Sequence, residues 1–336
     1  MMTHPAKLQA GDRIDGFVLK EKLHQGGMAT VWDVMEVDAD GHPQVRTLDA
    51  KGQPLPLIMK IPRIKGGEDP ASIVGFEVEQ MVMPALKGPH VPRVVAKGDF
   101  TRQPYIVMER IGGNSLRPRL DQAPLPFEEV SDIGQRVALA LHDLHKQHLV
   151  HLDVKPSNIM FRASGEAVLV DFGLSRHDQL PDLLEEEFSL PMGTGPYISP
   201  EQVQFVRNDP RSDLFALGVM LYHLTTGERP FGNPSSVSGL RKRLYTDPVP
   251  PRAHRSETPL WLHEVILRCL EVQPELRYQT GAQLALDLQH PEQIKLTGRA
   301  ERLGTRGTLS TVKRWFQAMG AEPKSEDGAN QHVERS

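Results

Sequence analysis

Two short runs constrain this chain more than anything else in it. His151-Leu152-Asp153-Val154-Lys155-Pro156-Ser157-Asn158 is followed, thirteen residues after Asn158, by Asp171-Phe172-Gly173. Between them, Val168-Leu169-Val170 reads as a short buried strand. One carboxylate, Asp153, is free to face a hydroxyl. A second, Asp171, and the amide oxygen of Asn158 are hard ligands of the kind that magnesium takes alongside water and phosphate oxygens. Lys155 adds a positive charge beside them. A lone His-x-Asp is usually a surface loop, but the ordered set implies a site built for charged oxygens.

Composition narrows the classes. The 336 residues are 39% hydrophobic and 24% charged, which suits a globular protein of one large two-lobed domain or two small ones. A net charge of -4 argues against a nucleic-acid binder. Cys269 is the one cysteine, so an internal disulfide and a Cys-rich zinc site are excluded. No run reaches the roughly 18 apolar residues of a membrane span. Met1 to Asp12 lacks the apolar core of a signal peptide. The expectation is a soluble, cytoplasmic protein.

The first third reads as a small sheet with one helix. Phe17 to Leu23 and Thr30 to Val37 alternate as strands around a turn at Gly26-Gly27. Residues 38–56 are a turn-rich insertion with the makings of a small hairpin, and Leu57 to Ile61 is a third strand stopped by Pro62. Residues 70–87 look helical, and Val94-Val95 and Tyr105 to Met108 give two more strands. After a hinge near 109–113, Val130, Ile133, Val137, Leu141 and Leu144 recur at helical steps, and helical patterns return at 211–225, 258–270 and 279–289. Residues 291–320 are basic, with Leu309, Val312, Trp315, Phe316 and Met319 able to line one helix face, and 321–336 are polar and expected to be disordered.

From about Ile14 to His290 the chain resembles the protein kinases, and within them the eukaryotic-like (Hanks-type) serine/threonine kinases of bacteria. The resemblance implies an α+β fold with a small β-rich N-lobe over 14–110 and a larger helical C-lobe over 111–290. It implies ATP and Mg2+ as cofactors and Ser/Thr hydroxyls of protein substrates as acceptors. Asp153 takes the role of base and Lys155 that of the transferred phosphoryl's partner, while Asn158 and Asp171 are the metal ligands. Lys60, on the third strand, matches the lysine on the α- and β-phosphates. Glu79 matches its helical partner through the frame Phe76-x-x-Glu79, then Leu86, then Pro89-His90-Val91, with Glu77 on another face. Gly26, Gly27 and Val31 fall in the phosphate loop. Met108 lies at the back of the adenine pocket, Glu109 and Ile111 in the hinge, and Met160 on the pocket floor.

Downstream, Gly193 to Glu201 resembles the segment that ends in Ala-Pro-Glu, with Glu201 expected to pair with Arg277 and Asp213 to anchor the catalytic loop. That platform favours a protein substrate over a small molecule, and Lys155 with Thr194 is the serine/threonine form. The sequence departs from the pattern at His24 and Ala29, which replace the outer glycines, and at Ile58, where alanine is usual. These departures are what a pseudokinase scaffold would show. At Leu152 the family often has an arginine that pairs with an activation-loop phosphate, so activity is expected without loop phosphorylation, with Ser175 and Ser189 the plausible acceptors. The acidic residues Asp182, Glu185, Glu186 and Glu187 would repel an added phosphate. For 291–320, packing on the large lobe competes with a weak membrane or partner contact.

Overall fold

The computed structural model describes residues 8–26, 28–63, 70–187 and 191–299. The N-terminal part is a six-stranded antiparallel sheet in the order β1-β2-β3-β4-β6-β5. Its strands are β1 (Arg13–Ile14), β2 (Phe17–Gln25), β3 (Ala29–Glu36), β4 (Leu57–Pro62), β5 (Val94–Gly98) and β6 (Tyr105–Glu109). Alternation along the strands buries Leu19, Trp32, Val34, Met59 and Val107 in one cluster on one face. The opposite side of β4 carries Lys60, opposite Val31 on β3 and Ile106 on β6.

The insertion over 38–56 is not a strand hairpin. It makes two single bridges, Val37 with Pro43 and Leu48 with Pro54. Its organiser is Glu36 at the end of β3, whose buried carboxylate accepts from Arg46 N at 2.8 Å, Thr47 N at 2.9 Å and the Thr47 hydroxyl at 2.8 Å. Helix α1 (Pro70–Val82) ends earlier than the apolar periodicity suggested. A single 3-10 turn, Met83–Ala85, follows, because Pro84 has no N–H to continue the ladder.

The second lobe is helical: α2 (Arg117–Leu120), α3 (Phe127–Lys146), α4 (Leu183–Glu187), α5 (Pro200–Val203), α6 (Arg211–Thr226), α7 (Val237–Arg241), α8 (Pro251–His254), α9 (Leu260–Cys269) and α10 (Gly281–Gln289). The expected stripe of α3 is buried, with Val130, Val137, Leu141 and Leu144 at 0% exposure. Helix α6 is buried on every side from Ser212 to Tyr222, as an apolar central post must be, and Gly227 at φ 78° ends it. Four short strands, β7 (Leu149–Val150), β8 (Ile159–Phe161), β9 (Ala167–Leu169) and β10 (Arg176–His177), pair as β7-β10 and β8-β9, with β7 and β9 against α3. This is the two-lobed α+β arrangement that the resemblance implied. Among the described residues no helix is long and apolar enough to cross a membrane.

Past His290 the chain stays on the large lobe. Ile294 packs against the core. The Thr297 hydroxyl donates to Glu264, and Arg299 reaches the same carboxylate at 3.1 Å and that of Glu271. Glu264 and Glu271 are each 6% exposed. Residues 300–336, including the Leu309–Met319 stripe, lie outside the described residues. Removing the cation from a buried pair costs about 3–5 kcal/mol. A chain ending at His290 is therefore expected to melt about 5 °C or more below the full chain, and one ending at Arg299 close to it. Calorimetric melting of the two truncations checks this; equal melting of both would assign 291–299 no packing role.

Candidate functional site

The site hangs from one carboxylate. Asp213, in the first turn of α6 and 1% exposed, accepts His151 N and Leu152 N at 2.9 Å each and faces His145 Nε2 at 2.9 Å. This holds Leu152 at φ 63°, a left-handed conformation that a leucine avoids unless its surroundings impose it. From the other side, Gln202 Nε2 donates to the Leu152 carbonyl at 2.9 Å. The His151 ring packs on Phe172, centroids 5.1 Å apart, and its Nε2 lies 3.2 Å from the Val170 carbonyl. The two loops singled out in the sequence are thereby locked together.

Asp153 is 8% exposed and fully bonded. One oxygen accepts Thr194 N at 3.0 Å and the Thr194 hydroxyl at 2.8 Å. The other accepts Lys155 Nζ at 2.6 Å and Asn158 Nδ2 at 3.2 Å. Asn158 Nδ2 also donates to the Asp153 carbonyl at 3.0 Å, which fixes the flip of the amide. Its oxygen keeps only a long bond from the Ser157 hydroxyl, 3.4 Å, and is the end left for a cation. Thr194 carries more than the sequence assigned it: the Gly-Thr pair marked a platform, but its grip on Asp153 needed the fold.

Opposite lies a triad across both lobes. Lys60 Nζ sits 2.6 Å from Glu79 and 2.9 Å from Asp171. Glu79 is 2% exposed on α1, whereas Glu77 is exposed. The Lys60 ammonium holds the Asp171 carboxyl down to about 2, more than offsetting burial. Burial pushes Glu79 up against the pull of Lys60. Burial also opposes the Lys60 charge, but Asp171 and Glu79 outweigh it and raise its pKa. Asp171, at φ 67° and with a half-exposed side chain, stays ionised and open to the cleft. Two hard oxygens, Asp171 and Asn158 Oδ1, beside an ionised lysine form a donor set that fits a divalent metal carrying phosphates.

The helix reaches Lys60 because two glycines meet. A Cβ on Gly75 of α1 would stand 3.1 Å from the Gly173 carbonyl oxygen, and one on Gly173 3.2 Å from that of Gly75.

The remaining cleft residues fall around this triad. Val31 pairs with Lys60 across β3 and β4. Gly26 is held at the β2–β3 turn by its N–H to the Ala29 carbonyl, 3.0 Å, and by Arg63 donating to its own carbonyl, 2.9 Å. Gly27 lies outside the described residues. His24 pairs with Val31 as an ordinary strand residue. Met108 and Ile111 are buried, at 5% and 7% exposure. Met160 on β8 and Ile58 on β4 are partly buried. Glu109 differs in one respect from a free hinge residue. Its N–H donates to the Arg93 carbonyl at 2.9 Å, and its carboxylate accepts from Arg162 Nη2 at 2.8 Å and from Arg93 N at 3.2 Å.

The platform stands on Glu201 and Arg277, joined by two 2.7 Å bonds, with the Ser212 hydroxyl adding a third at 2.6 Å. Ser199-Pro200-Glu201-Gln202 forms a capping box at the start of α5, which sets Glu201 inward. Arg243, which no motif marks, donates to the carbonyls of Gly195 and Ile198. Ser175 is no surface acceptor. It is 3% exposed and donates to the His151 carbonyl at 3.2 Å; Ser189 lies outside the described residues.

Comparison with known proteins accords with this geometry. A family model described as the protein kinase domain matches residues 63–290. The chain is similar to the serine/threonine-protein kinase PknB of Mycobacterium tuberculosis, 33% identical over 312 residues that cover 90% of this chain and 47% of the relative. The PknB of Mycobacterium leprae is 33% identical over 257 residues, 73% of this chain and 41% of the relative. A probable serine/threonine-protein kinase of Clostridium perfringens is 33% identical over 215 residues, 64% of this chain and 31% of the relative. The chain thus spans under half the length of these curated relatives.

The glycine contact generates a prediction. Gly75→Val forces α1 off Gly173 and draws Glu79 from Lys60. It is expected to weaken binding of ATP with a divalent metal and to lower phosphotransfer by roughly 10- to 100-fold, the scale of an ångström's misplacement. Glu77→Ala is the matched control and should change neither. Titration calorimetry and a labelled-ATP assay measure both; unchanged binding and turnover in Gly75→Val would remove the contact from the site.

Proposed function

The chain belongs to the protein kinase family, and from that premise we propose that it transfers the γ-phosphate of ATP to Ser or Thr hydroxyls of protein substrates. The observation that carries the reading is the state of Asp153. Its carboxylate is oriented by the Thr194 hydroxyl and Lys155, in the same cleft as the joined Lys60–Glu79–Asp171 triad. Asp153 accepts or orients the proton of the substrate hydroxyl, and Lys155, 2.6 Å away, stabilises the group in transfer. Lys60 holds the α- and β-phosphates and Glu79 fixes the lysine's position. Catalysis of this kind is mainly positioning and electrostatics, and every charged group it needs is present.

We assign the metal as magnesium, which Asp171 and the Asn158 amide oxygen would hold and which would supply positive charge against the phosphates. Glu109 and Ile111 offer backbone groups to adenine, Gly26 approaches the phosphates, and Val31, Met108 and Met160 line the base. Gly195 to Ser199, carried on Glu201 and Arg277, form the ledge for a peptide, which favours a protein acceptor over a small molecule. His24, Ala29 and Ile58 remove none of the charged groups, so they do not favour a scaffold without turnover. We place the reaction in the cytoplasm; the buried thiol of Cys269 needs no oxidising compartment.

Asp153→Asn is nearly isosteric and should fold, yet lose about 10²–10⁴-fold of phosphotransfer. Near-wild-type turnover in an assay with labelled ATP, magnesium and a generic basic protein substrate would refute the assignment. Lys60→Met and Asp171→Asn should each abolish turnover, and ATP should bind productively only with magnesium. Calorimetric titration with and without the metal decides: equal affinity in both, together with no turnover on any substrate, favours a nucleotide-binding scaffold.

A further inference from the structure

The residue before the catalytic aspartate is Leu152, 4% exposed and apolar, so it cannot draw a loop phosphate to the site. Yet the segment after Gly173 is tied to the rest of the lobe by a charge of its own. Asp182 keeps a side chain only 5% exposed, not the solvated surface that an acidic run suggests. Arg207, in the stretch between α5 and α6, donates from Nε to one of its oxygens at 2.9 Å and from Nη2 to the other at 3.3 Å. The same Nη2 donates to the Leu174 carbonyl at 3.2 Å, three residues from the metal ligand Asp171. Arg176 stands 3.6 Å from Asp182 on β10, where it pairs with Val150, the residue before His151. Finally, Leu184 N donates to Asp182 at 3.3 Å at the start of α4, a helix that lies against α1.

One carboxylate therefore gathers the metal-loop end, the strand leading into the catalytic loop, the helix behind Glu79 and the stretch that follows the platform helix. Added phosphates order kinase loops through the same chemistry, an anion drawing in arginines from separate segments. We propose that Asp182 is a positioning residue that holds residues 174–187 in the working arrangement permanently, through Arg207 and Arg176, so that no phosphate is needed. The proposal rests on the kinase reading above. Asp182 touches neither nucleotide nor peptide. Its effect passes through Leu174 and β10 to Asp171 and His151.

The test compares wild type, phosphatase-treated wild type, Asp182→Asn, Asp182→Glu and Arg207→Met on a generic basic protein substrate. Phosphatase-treated wild type should keep activity within about tenfold of untreated, since the ordering charge is built in. Asp182→Asn and Arg207→Met should lose turnover by roughly 10- to 100-fold while the calorimetric affinity for magnesium-ATP stays within about twofold. Asp182→Glu, which keeps the charge, should recover part of the loss. Limited proteolysis should cut residues 174–187 faster in Asp182→Asn at a melting temperature near that of wild type. Wild-type turnover in Asp182→Asn overturns the proposal, as does a hundredfold loss on phosphatase treatment that rephosphorylation restores. A wild type without turnover would sink the kinase reading alone, because the proteolysis arm still decides whether Asp182 orders the segment; equal cleavage of Asp182→Asn and wild type overturns it.

Discussion

The bond from Asp213 to the backbone of His151 and Leu152 is the constraint on which the site depends. A carboxylate at 1% exposure is costly unless its oxygens are filled, and here two N–H groups and His145 fill them. In return, α6, buried without a break from Ser212 to Tyr222, fixes a loop that would otherwise relax out of a left-handed leucine. The aspartate that follows it, Asp153, then has one position. Thr194 and Lys155 complete its orientation, so Asp153 and the segment from Gly193 to Glu201 share a frame.

The second dependence runs between lobes. Lys60 comes from the sheet, Glu79 from α1 and Asp171 from the large lobe, so their meeting requires the two halves to close to within a hydrogen bond. Hydrophobic packing alone does not set that distance. The backbones of Gly75 and Gly173 do, because neither leaves room for a Cβ without displacement. A third tie, Arg162 to Glu109, joins the strand after Asn158 to the hinge.

Much of this was legible in the sequence where chemistry is local. The run from His151 to Asn158, the Asp171-Phe172-Gly173 triplet and the lysine on an apolar strand identify themselves by residue type and order. The α3 stripe follows from period alone. What the sequence hid depends on partners distant along the chain. Asp182 reads as one of four acids in a run, and only its 25-residue reach to Arg207 separates it from its neighbours. Ser175 looks like an acceptor until the fold buries it under His151. Glu36 looks like a strand-end charge, yet it organises an insertion whose turn residues suggested a hairpin. Nothing before Arg299 announces that the basic stretch begins by returning to Glu264 and Glu271.

The platform shows how fixed charges can hold a loop in place. Arg277 is 1% exposed and spends its donors on both oxygens of Glu201 and on the carbonyls of Arg211, Glu271 and Val272, so its charge is matched where it lies. Arg243, equally buried, solves the problem differently. It holds the carbonyls of Gly195 and Ile198, and among the described residues no carboxylate pairs with it. Burial alone pulls its pKa down to about 10, which still leaves it charged at neutral pH. A guanidinium bonded to two carbonyls of one short ledge resists any movement that separates them, because the bonds lost would strand a buried cation. The ledge is therefore held from below by Glu201 and Arg277 and from within by Arg243, while Asp182 and Arg207 hold the segment that leads to it. Each of these anchors is a permanent charge, and none depends on a modification to appear.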